Sequence, residues 1–488
     1  MKKLLVGAFI LGAFFAGNAQ KKKAPVKPAK ARTTAVKPAA TTQDIAPISD
    51  AVLEQAVIYE ANIRNYSKEG TFNAFTKDIP KLKQLGVKVL WLMPIYPISM
   101  TRRKATADKS IEDITNPEEK KKYLGSWYAI SDYTAINPDL GTEADFKKLV
   151  QTAHANGMYV ILDWVANHTG WDHKWIKQHP EYYQKNAKGE VTDPLNPETG
   201  EPWGWTDVAH LDYSNKKVYE PMKNEMMYWV KQQNIDGFRC DVADNVPQDF
   251  WDWATPQLRK VKPLFMLMES DKPYLLTKSF DMGYGWEAHH LMNDMAQGKK
   301  NVADWDKFIN KFKQKYQKDD YFMNFTSNHD ENAWHGSEYE RMGKHTELFA
   351  ALTYVMPGMP LIYTGQEFGN TKSLKFFEQD PARHDNDKMF NFYEKLGKLK
   401  NNNPALAGAK NSARYVRLQT GEDTKILAFY RESGKKRVYF FANFADEEIP
   451  FEVKLDGEYK DYLTGEKVVF QQGARVALKP WQYWILVD

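Results

Sequence analysis

Four stretches of the chain place polar, reactive side chains directly after an apolar run. These are residues 163–168 (DWVANH), residues 239–241 (RCD), Glu269 and residues 328–330 (NHD). Any one of them alone could be a buried ion pair or a helix cap. In a barrel of parallel strands, however, the C-terminal strand ends meet at one face, where catalytic groups lie. The four together predict a cluster of acids, two histidines and an arginine at such a face.

Acids grouped in this way suit glycoside cleavage, which needs one ionised carboxylate and one protonated carboxylic acid beside the bond. Arg239 precedes Asp241 by two residues, so its charge is expected to lower the pKa of Asp241 and keep it ionised. Glu269 follows three apolar residues, and desolvation there is expected to raise its pKa. Metal-dependent hydrolysis is the alternative, because His, Asp and Glu also bind metals. The chain has no HxH or HExxH spacing, which weakens that alternative.

The elements that must position these residues alternate between strand-like and helical runs. Amphipathic helices are predicted at 75–85 and 145–155 from their apolar spacing. Strands are predicted at 56–60, 87–95, 159–165, 236–242, 264–268, 279–283, 321–326 and 360–363. Eight strands alternating with helices predict an α/β protein with a (β/α)8 TIM barrel over residues 51–403. From the pattern alone, a doubly wound open sheet is the alternative.

Two further regions stand outside this alternation. Residues 169–215 follow the third strand, are rich in aromatic residues, and predict a small irregular subdomain over the barrel mouth. After about residue 404 the helical runs stop, and residues 404–488 predict an all-β sandwich domain. The insertion carries tryptophans that could stack on sugars or pack its own core: Trp171, Trp175, Trp203 and Trp205.

The N-terminal region accounts for the net charge of +4. Residues 1–42 hold nine Lys or Arg and no acid, so the remainder carries net negative charge and nucleic acid is excluded as a partner. Residues 1–19 have the pattern of a signal peptide, which predicts secretion to the periplasm or outside the cell. Residues 20–50 predict a disordered linker. No transmembrane segment is expected in the mature chain, and protein partners are left open.

Taken in order, the motifs resemble those of the α-amylase family, glycoside hydrolase family 13. The resemblance runs from about residue 57 to the C-terminus. It rests on GVKVLWLMP at 86–94, YAISDY at 128–133, DWVANH at 163–168, GFRCD at 237–241, Glu269, NHD at 328–330 and GMPLIYTGQE at 358–367. The family implies the same barrel, the subdomain B and the C-terminal β-domain.

The resemblance also assigns roles to individual residues. It implies that Asp241 is the nucleophile, that Glu269 is the general acid/base, and that Asp330 grips the sugar and stabilises the transition state. It implies retaining cleavage of α-linked glucans, with no cofactor required. Substrate-binding roles fall to Tyr128, Asp132, Asp163, His168, Arg239 and His329.

Two departures from the family pattern affect these expectations. A Lys-His pair that follows the nucleophile in many α-amylases is here Asp244 and Asn245, as in the neopullulanase and cyclomaltodextrinase type, which often tolerates α-1,6 bonds. The family's calcium ion often uses the Asn of the third-strand motif, here Asn167, together with an Asp that is here His210. A structural calcium ion near Asn167 is therefore left open.

The sequence as a whole predicts a secreted retaining hydrolase of starch-like glucans or maltooligosaccharides, acting mainly on α-1,4 bonds. A transglycosylase on the same site is one alternative, since transfer differs from hydrolysis only in the acceptor. A non-catalytic α-glucan-binding protein on the same fold is the other. The presence of Asp241, Glu269 and Asp330 argues against a purely binding role.

Overall fold

The computed structural model describes residues 45–196 and 199–487. The predicted signal peptide and the predicted linker up to residue 44 lie outside the described residues. Ile48, at the end of the predicted linker, is buried and packs against the barrel. Within the described ranges, every helix is too short or too polar to span a bilayer.

Eight parallel strands close into a barrel in the order β1-β8-β7-β6-β5-β4-β3-β2. Closure confirms the predicted (β/α)8 barrel and rules out the open sheet. The strands are β1 (Val57–Ala61), β2 (Val87–Leu92), β3 (Tyr159–Trp164), β4 (Gly237–Cys240), β5 (Phe265–Met268), β6 (Met282–Tyr284), β7 (Tyr321–Asn324) and β8 (Met359–Tyr363).

Alternation along each strand divides its side chains between the barrel interior and the helix layer. On β5, Phe265 and Leu267 belong to the interior cluster, while Met266 and Met268 pack outward under the helices. On β4, Cys240 faces outward and Arg239 faces the interior.

Helices on the outside cover the barrel. The long ones are α1 (Phe72–Gln84), α2 (Glu143–Ala155), α3 (Tyr219–Gln232), α4 (Gln248–Arg259), α5 (Trp286–Ala296), α6 (Val302–Lys315), α7 (Thr346–Val355) and α8 (Asp387–Asn402). Shorter α-helices span Asp50–Leu53, Ile63–Tyr66, Pro117–Lys120, Lys174–Gln178, Pro273–Leu276, His329–Trp334 and Glu338–Met342. Helix α1 begins three residues before its predicted start, because the Thr71 side chain caps it by accepting a hydrogen bond from the Ala74 backbone N–H.

Several strands differ from their predicted bounds, and for β2 and β6 the structure shows the local reason. Strand β2 ends at Leu92 rather than at residue 95, and Pro94, which has no backbone N–H to donate, follows closely. Strand β6 starts at Met282 rather than at residue 279. The Phe280 N–H donates to the Leu275 carbonyl, so this stretch closes the preceding helix instead of pairing in the sheet.

The insertion after β3 contains a short antiparallel pair, His168–Gly170 with Val208–His210. The C-terminal region is all β and antiparallel, as predicted. Its strands are β9 (Arg414–Arg417), β10 (Ile426–Ser433), β11 (Lys436–Asn443), β12 (Ile449–Phe451), β13 (Gly457–Asp461), β14 (Lys467–Phe470), β15 (Val476–Leu478) and β16 (Tyr483–Val487). A six-stranded sheet, β9-β10-β11-β16-β13-β14, and the pair β12-β15 share one apolar core.

Candidate active site

The fully buried guanidinium of Arg239 lies at the centre of the predicted acids. Its Nη1 donates to Asp163 Oδ1 and to Asp241 Oδ1, both at 2.8 Å. Its Nη2 lies 2.9 Å from Glu269 Oε1, as an ion pair without hydrogen-bond geometry. Its Nε donates to the Tyr284 hydroxyl at 3.1 Å. Strands β3, β4 and β5 thus deliver three carboxylates to one cation.

The two carboxyl groups flanking Arg239 have different proton affinities. Burial raises the pKa of Asp241 to about 6, because the opposing charge of Arg239 only partly offsets desolvation and the negative charge of Asp163 adds to it. The expectation of a lowered pKa for Asp241 is therefore wrong in its net direction. Burial raises the pKa of Glu269 to about 8, again against the charge of Arg239. The predicted rise for Glu269 has the right direction.

Directly after Asp241, the backbone of Val242 adopts the left-handed conformation, with φ 37° and ψ 52°. The predicted strand therefore ends at Cys240 and does not extend to residue 242. Such a conformation in a β-branched residue costs on the order of 1–3 kcal/mol. It points the Val242 N–H at Glu269 Oε2, 2.8 Å away, and so holds the acid beside Asp241.

A second charged group forms around His329. Its Nδ1 lies 2.5 Å from Glu60 Oε1, and its Nε2 lies 2.7 Å from the Tyr128 hydroxyl and 3.2 Å from Asp330 Oδ2. Burial alone would lower the pKa of His329, but Asp330 and Glu60 outweigh it and raise the pKa well above its ordinary value. Burial would raise the pKa of Asp330, yet the His329 charge lowers it to about 2. The pair is an imidazolium facing a carboxylate.

Tyr128 joins the two groups. Its hydroxyl donates to Asp163 Oδ2 at 3.1 Å, and its ring stacks on that of His329 with centroids 5.4 Å apart. With the Tyr128 hydroxyl donating to Asp163, the His329 Nε2–H is the donor to the Tyr128 oxygen. The structure therefore brings these predicted residues into one connected cluster.

Glu60 is a site residue that the sequence reasoning missed. It is the penultimate residue of β1, is fully buried, and has one oxygen, Oε2, without a hydrogen-bond partner among the described residues. Burial raises its pKa, and His329 opposes that rise. The signal was present in the sequence, because Glu60 follows an apolar strand just as Glu269 does.

Of the remaining predicted residues, His168 reaches the site and Asp132 does not. His168 is buried and lines the cleft, and Asn167 Nδ2 donates to its Nδ1 at 3.1 Å. Burial lowers the pKa of His168 to about 3, so its ring is neutral. The Asp132 carboxylate instead accepts hydrogen bonds from the backbone N–H and the hydroxyl of Thr134, at 2.9 and 3.0 Å. It is absent from the described lining of the cleft.

The surroundings of Asn167 do not fit a calcium ion. Its amide donates to His168, and His168 pairs with His210 across the short strand pair of the insertion. Burial lowers the pKa of His210 to about 4, so both imidazoles offer neutral nitrogen, whereas calcium takes oxygen ligands. Residues 45–196 and 199–487 contain no group of three or more His, Cys, Asp or Glu that could hold a metal.

Above the cluster lies a cleft of about 610 Å³. Its lining includes Trp203 and Trp334, which are 46% and 45% exposed. Trp203 and Trp205 both line the cleft and stack on each other, with centroids 5.9 Å apart. These two tryptophans are therefore positioned to stack on sugars. Trp175 is buried in the insertion and packs against other rings.

A closed parallel barrel with buried acids at the C-terminal ends of its strands defines the class of (β/α)8 barrels with a strand-end active site. The model of the alpha amylase catalytic domain matches residues 40–275 and 267–413. The chain therefore belongs to the alpha-amylase family. Residues 428–487 match the model of a beta-galactosidase C-terminal domain.

Relatives differ in how much of their length the chain matches. Alpha-amylase MalA of Haloarcula japonica is 24% identical over 429 residues, which is 85% of this chain and 59% of that protein. An alpha-1,4-glucan:maltose-1-phosphate maltosyltransferase of Chlorobaculum tepidum is 29% identical over 235 residues, or 46% of this chain and 34% of that protein. The structure of an alpha-amylase from Lactobacillus plantarum is 28% identical, with a TM-score of 0.77 over 90% of this chain and all of that one.

Proposed function

We propose that the protein is a retaining glycoside hydrolase that cleaves α-glucosidic bonds in starch-like glucans or maltooligosaccharides. One observation carries the proposal: Arg239 contacts both Asp241 and Glu269, whose pKa values are about 6 and about 8. Between these values Asp241 is ionised and Glu269 is protonated, which is the division of labour that double displacement needs.

In the first step the Asp241 carboxylate attacks the anomeric carbon, and the bond from that carbon to the glycosidic oxygen breaks. Glu269 gives its proton to the leaving oxygen, so the departing sugar carries a new hydroxyl. The glycosyl group is then esterified to Asp241, and Glu269 is ionised. Arg239 stays 2.9 Å from Glu269, and its charge stabilises the carboxylate that forms.

In the second step Glu269 takes a proton from water while the water oxygen attacks the anomeric carbon and releases Asp241. Two inversions at the same carbon retain the anomeric configuration. Asp330, held ionised by His329, is placed to stabilise the positive charge of the transition state. Tyr128 and the neutral His168 are placed to hold the sugar ring and its hydroxyls.

Transfer to a sugar acceptor is the second candidate function. It is favoured by two relatives named as alpha-1,4-glucan:maltose-1-phosphate maltosyltransferases, which each match 46% of this chain. Both candidates share the same first step and differ only in whether water or a sugar takes the glycosyl group. For linkage, Asp244 and Asn245 after the nucleophile support α-1,6 cleavage beside α-1,4 cleavage. Secretion is proposed on the pattern of residues 1–19.

A proton NMR time course on maltoheptaose tests the proposal. New reducing ends should appear first as the α-anomer and convert to β only by mutarotation. A net gain of reducing ends supports hydrolysis, and products longer than the substrate without a net gain of reducing ends support transfer. An Asp241→Asn sample is the matched control and should give no new reducing ends. If the β-anomer is formed first, the retaining assignment is wrong.

A further inference from the structure

The segments around the cleft contact one another on one side of Arg239 and leave the other side open. We infer that the cleft is a pocket closed at the end that receives the glycone, so that the protein releases products from the non-reducing end of a chain. This inference rests on the proposed function and adds to it the mode of attack. The segments concerned are the insertion, the loop after β2, the segment after β8 and the helix His329–Trp334.

The first junction joins the loop after β2 to the insertion. Lys104 lines the cleft, and its Nζ donates to the Gly204 carbonyl of the insertion at 2.9 Å. A second contact lies beside it, because the Arg102 guanidinium sits 3.7 Å above the ring of Trp171. Two walls of the cleft are thereby bonded to each other, and Lys104 and Gly204 both face the space between them.

The second junction joins the same loop to the segment after β8. The Leu124 N–H donates to the Phe377 carbonyl at 2.7 Å, and Phe377 lines the cleft. Phe376 then packs on Trp334 of the helix after β7, with ring centroids 5.0 Å apart. These contacts form one continuous rim from the insertion, through the loop after β2, to the helix after β7.

The opposite side of the cleft has a sparser lining. There β4 and β5 contribute only the residues at their ends: Asp241, Val242 and Glu269. Of the residues that the structure describes, none from 270 to 328 lines the cleft. A glucan chain can leave over the ends of β4 to β6 without crossing a junction between segments.

Chemistry decides which end of the substrate faces the closed rim. The acid must lie beside the oxygen of the leaving group, so the leaving group occupies the Glu269 side, which is open. The glycone must then lie against Tyr128, His329 and Asp330, on the closed side. The glycone carries the non-reducing end of the chain, and the rim limits how many sugars can precede the cleaved bond.

A pair of maltoheptaosides with a chromophore at the reducing end tests this inference with the purified full chain. Loss of the intact substrate is followed by chromatography, because a first cut near the non-reducing end leaves the chromophore bound to sugar. One has a free non-reducing end, and the other has that end blocked by a 4,6-O-acetal. We expect kcat/KM to be about tenfold or more higher for the free substrate, which corresponds to a barrier difference of about 1.4 kcal/mol. Equal values for the two substrates would show a through-going groove and overturn the inference, while leaving the proposed function intact. No cleavage of either would remove the proposed function, and the inference with it.

Two lysines of one loop provide the variant and its control. Lys104→Ala removes the bond to Gly204 and should raise the blocked-to-free ratio severalfold, because the wall can then part. Lys109→Ala changes an exposed lysine of the same loop and should leave that ratio at the wild-type value. If wild type, Lys104→Ala and Lys109→Ala have the same blocked-to-free ratio, the bond from Lys104 to Gly204 does not close the wall, which contradicts its role in the rim.

Discussion

Two fully buried arginines, Arg239 in the barrel mouth and Arg431 under the C-terminal domain, have opposite surroundings. Arg431 donates only to neutral groups, among them the carbonyls of Val355, Ala407 and Ala413. Burial lowers the pKa of Arg431 to about 9. Around Arg239 burial acts in the same direction, but Asp163 and Glu269 outweigh it and raise the pKa well above the ordinary value.

The difference separates a structural from a chemical use of the same side chain. Every guanidinium nitrogen of Arg431 has a hydrogen-bond partner. The side chain is therefore held in one position and links the C-terminal domain to the barrel. Arg239 is surrounded by more negative charge than it can neutralise, and its Nη2 makes no hydrogen bond. Burial, to which this excess negative charge adds, raises the pKa values of Asp241 and Glu269 into the range where protons can be exchanged.

The largest expected effect comes from removing the nucleophile beside Arg239. Asp241→Asn should lower kcat by about 10⁴-fold or more, because the covalent step is lost. The folded-state pKa of Asp241, about 6, lies above its ordinary value of 3.8, so its ionised form opposes folding as pH rises through that interval. At pH 7 the variant should therefore unfold at a higher temperature than wild type, as calorimetry would show. A lower melting temperature for the variant than for the wild type would contradict the claim that ionised Asp241 opposes folding.

At the second arginine the effect should fall on stability. Arg431→Met leaves several buried carbonyls without donors and should cost about 3 kcal/mol of the free energy of unfolding, measured in urea. Its kcat should stay near the wild-type value, since Arg431 does not reach the cleft. Arg437→Met, which changes an exposed arginine of β11, is the control and should leave the free energy of unfolding close to the wild-type value. A large loss of kcat in Arg431→Met would erase the contrast between the two arginines.

A variant of Glu60 tests whether buried negative charge also controls the protonation of His329. Glu60→Gln keeps the shape but removes one of the two carboxylates that hold the imidazolium. The pKa of His329 should fall, and kcat should drop by about tenfold. Loss of the His329 proton should then limit activity before Glu269 deprotonates, so the alkaline arm that Glu269 sets in the wild type should move to lower pH. A merely structural role for Glu60 would not cause this shift. An unmoved alkaline arm would place Glu60 with the structural groups.

The smallest expected effect is the pH dependence of kcat/KM in the wild-type protein, which requires no mutation. Asp241 must be ionised and Glu269 protonated, so kcat/KM should be bell-shaped, with arms near the pKa values of about 6 and about 8. Activity should fall as pH drops below the lower arm, because Asp241 gains a proton, and as pH rises above the upper arm, because Glu269 loses one. A flat profile from pH 5 to pH 9 would contradict these assignments.

The barrel and most of the site could be predicted from the sequence because each depends on a short-range pattern. Apolar runs alternating with amphipathic helices predicted all eight strands. The acids that end three of them meet at the Arg239 guanidinium, and His329 and Asp330 at the end of a fourth join that group through Tyr128. Strand bounds were less accurate where a turn took the backbone hydrogen bonds, as at β6.

What the sequence could not predict depends on the folded surroundings. The direction of the Asp241 shift follows from a desolvation that only the closed barrel creates. The left-handed Val242 has no local sequence signal, since glycine or asparagine would be expected there. Asp132 lies within a matching motif, yet its own turn takes up the carboxylate.

Cys240 lies between Arg239 and Asp241 in sequence but faces the helix layer, where it is fully buried. It is the only cysteine of the chain, and burial raises the pKa of its thiol well above the ordinary value. A thiol reagent can therefore label the protein only when β4 leaves the barrel. The rate at which the Cys240 thiol is labelled in native buffer therefore measures how often β4 opens, and no engineered probe is needed.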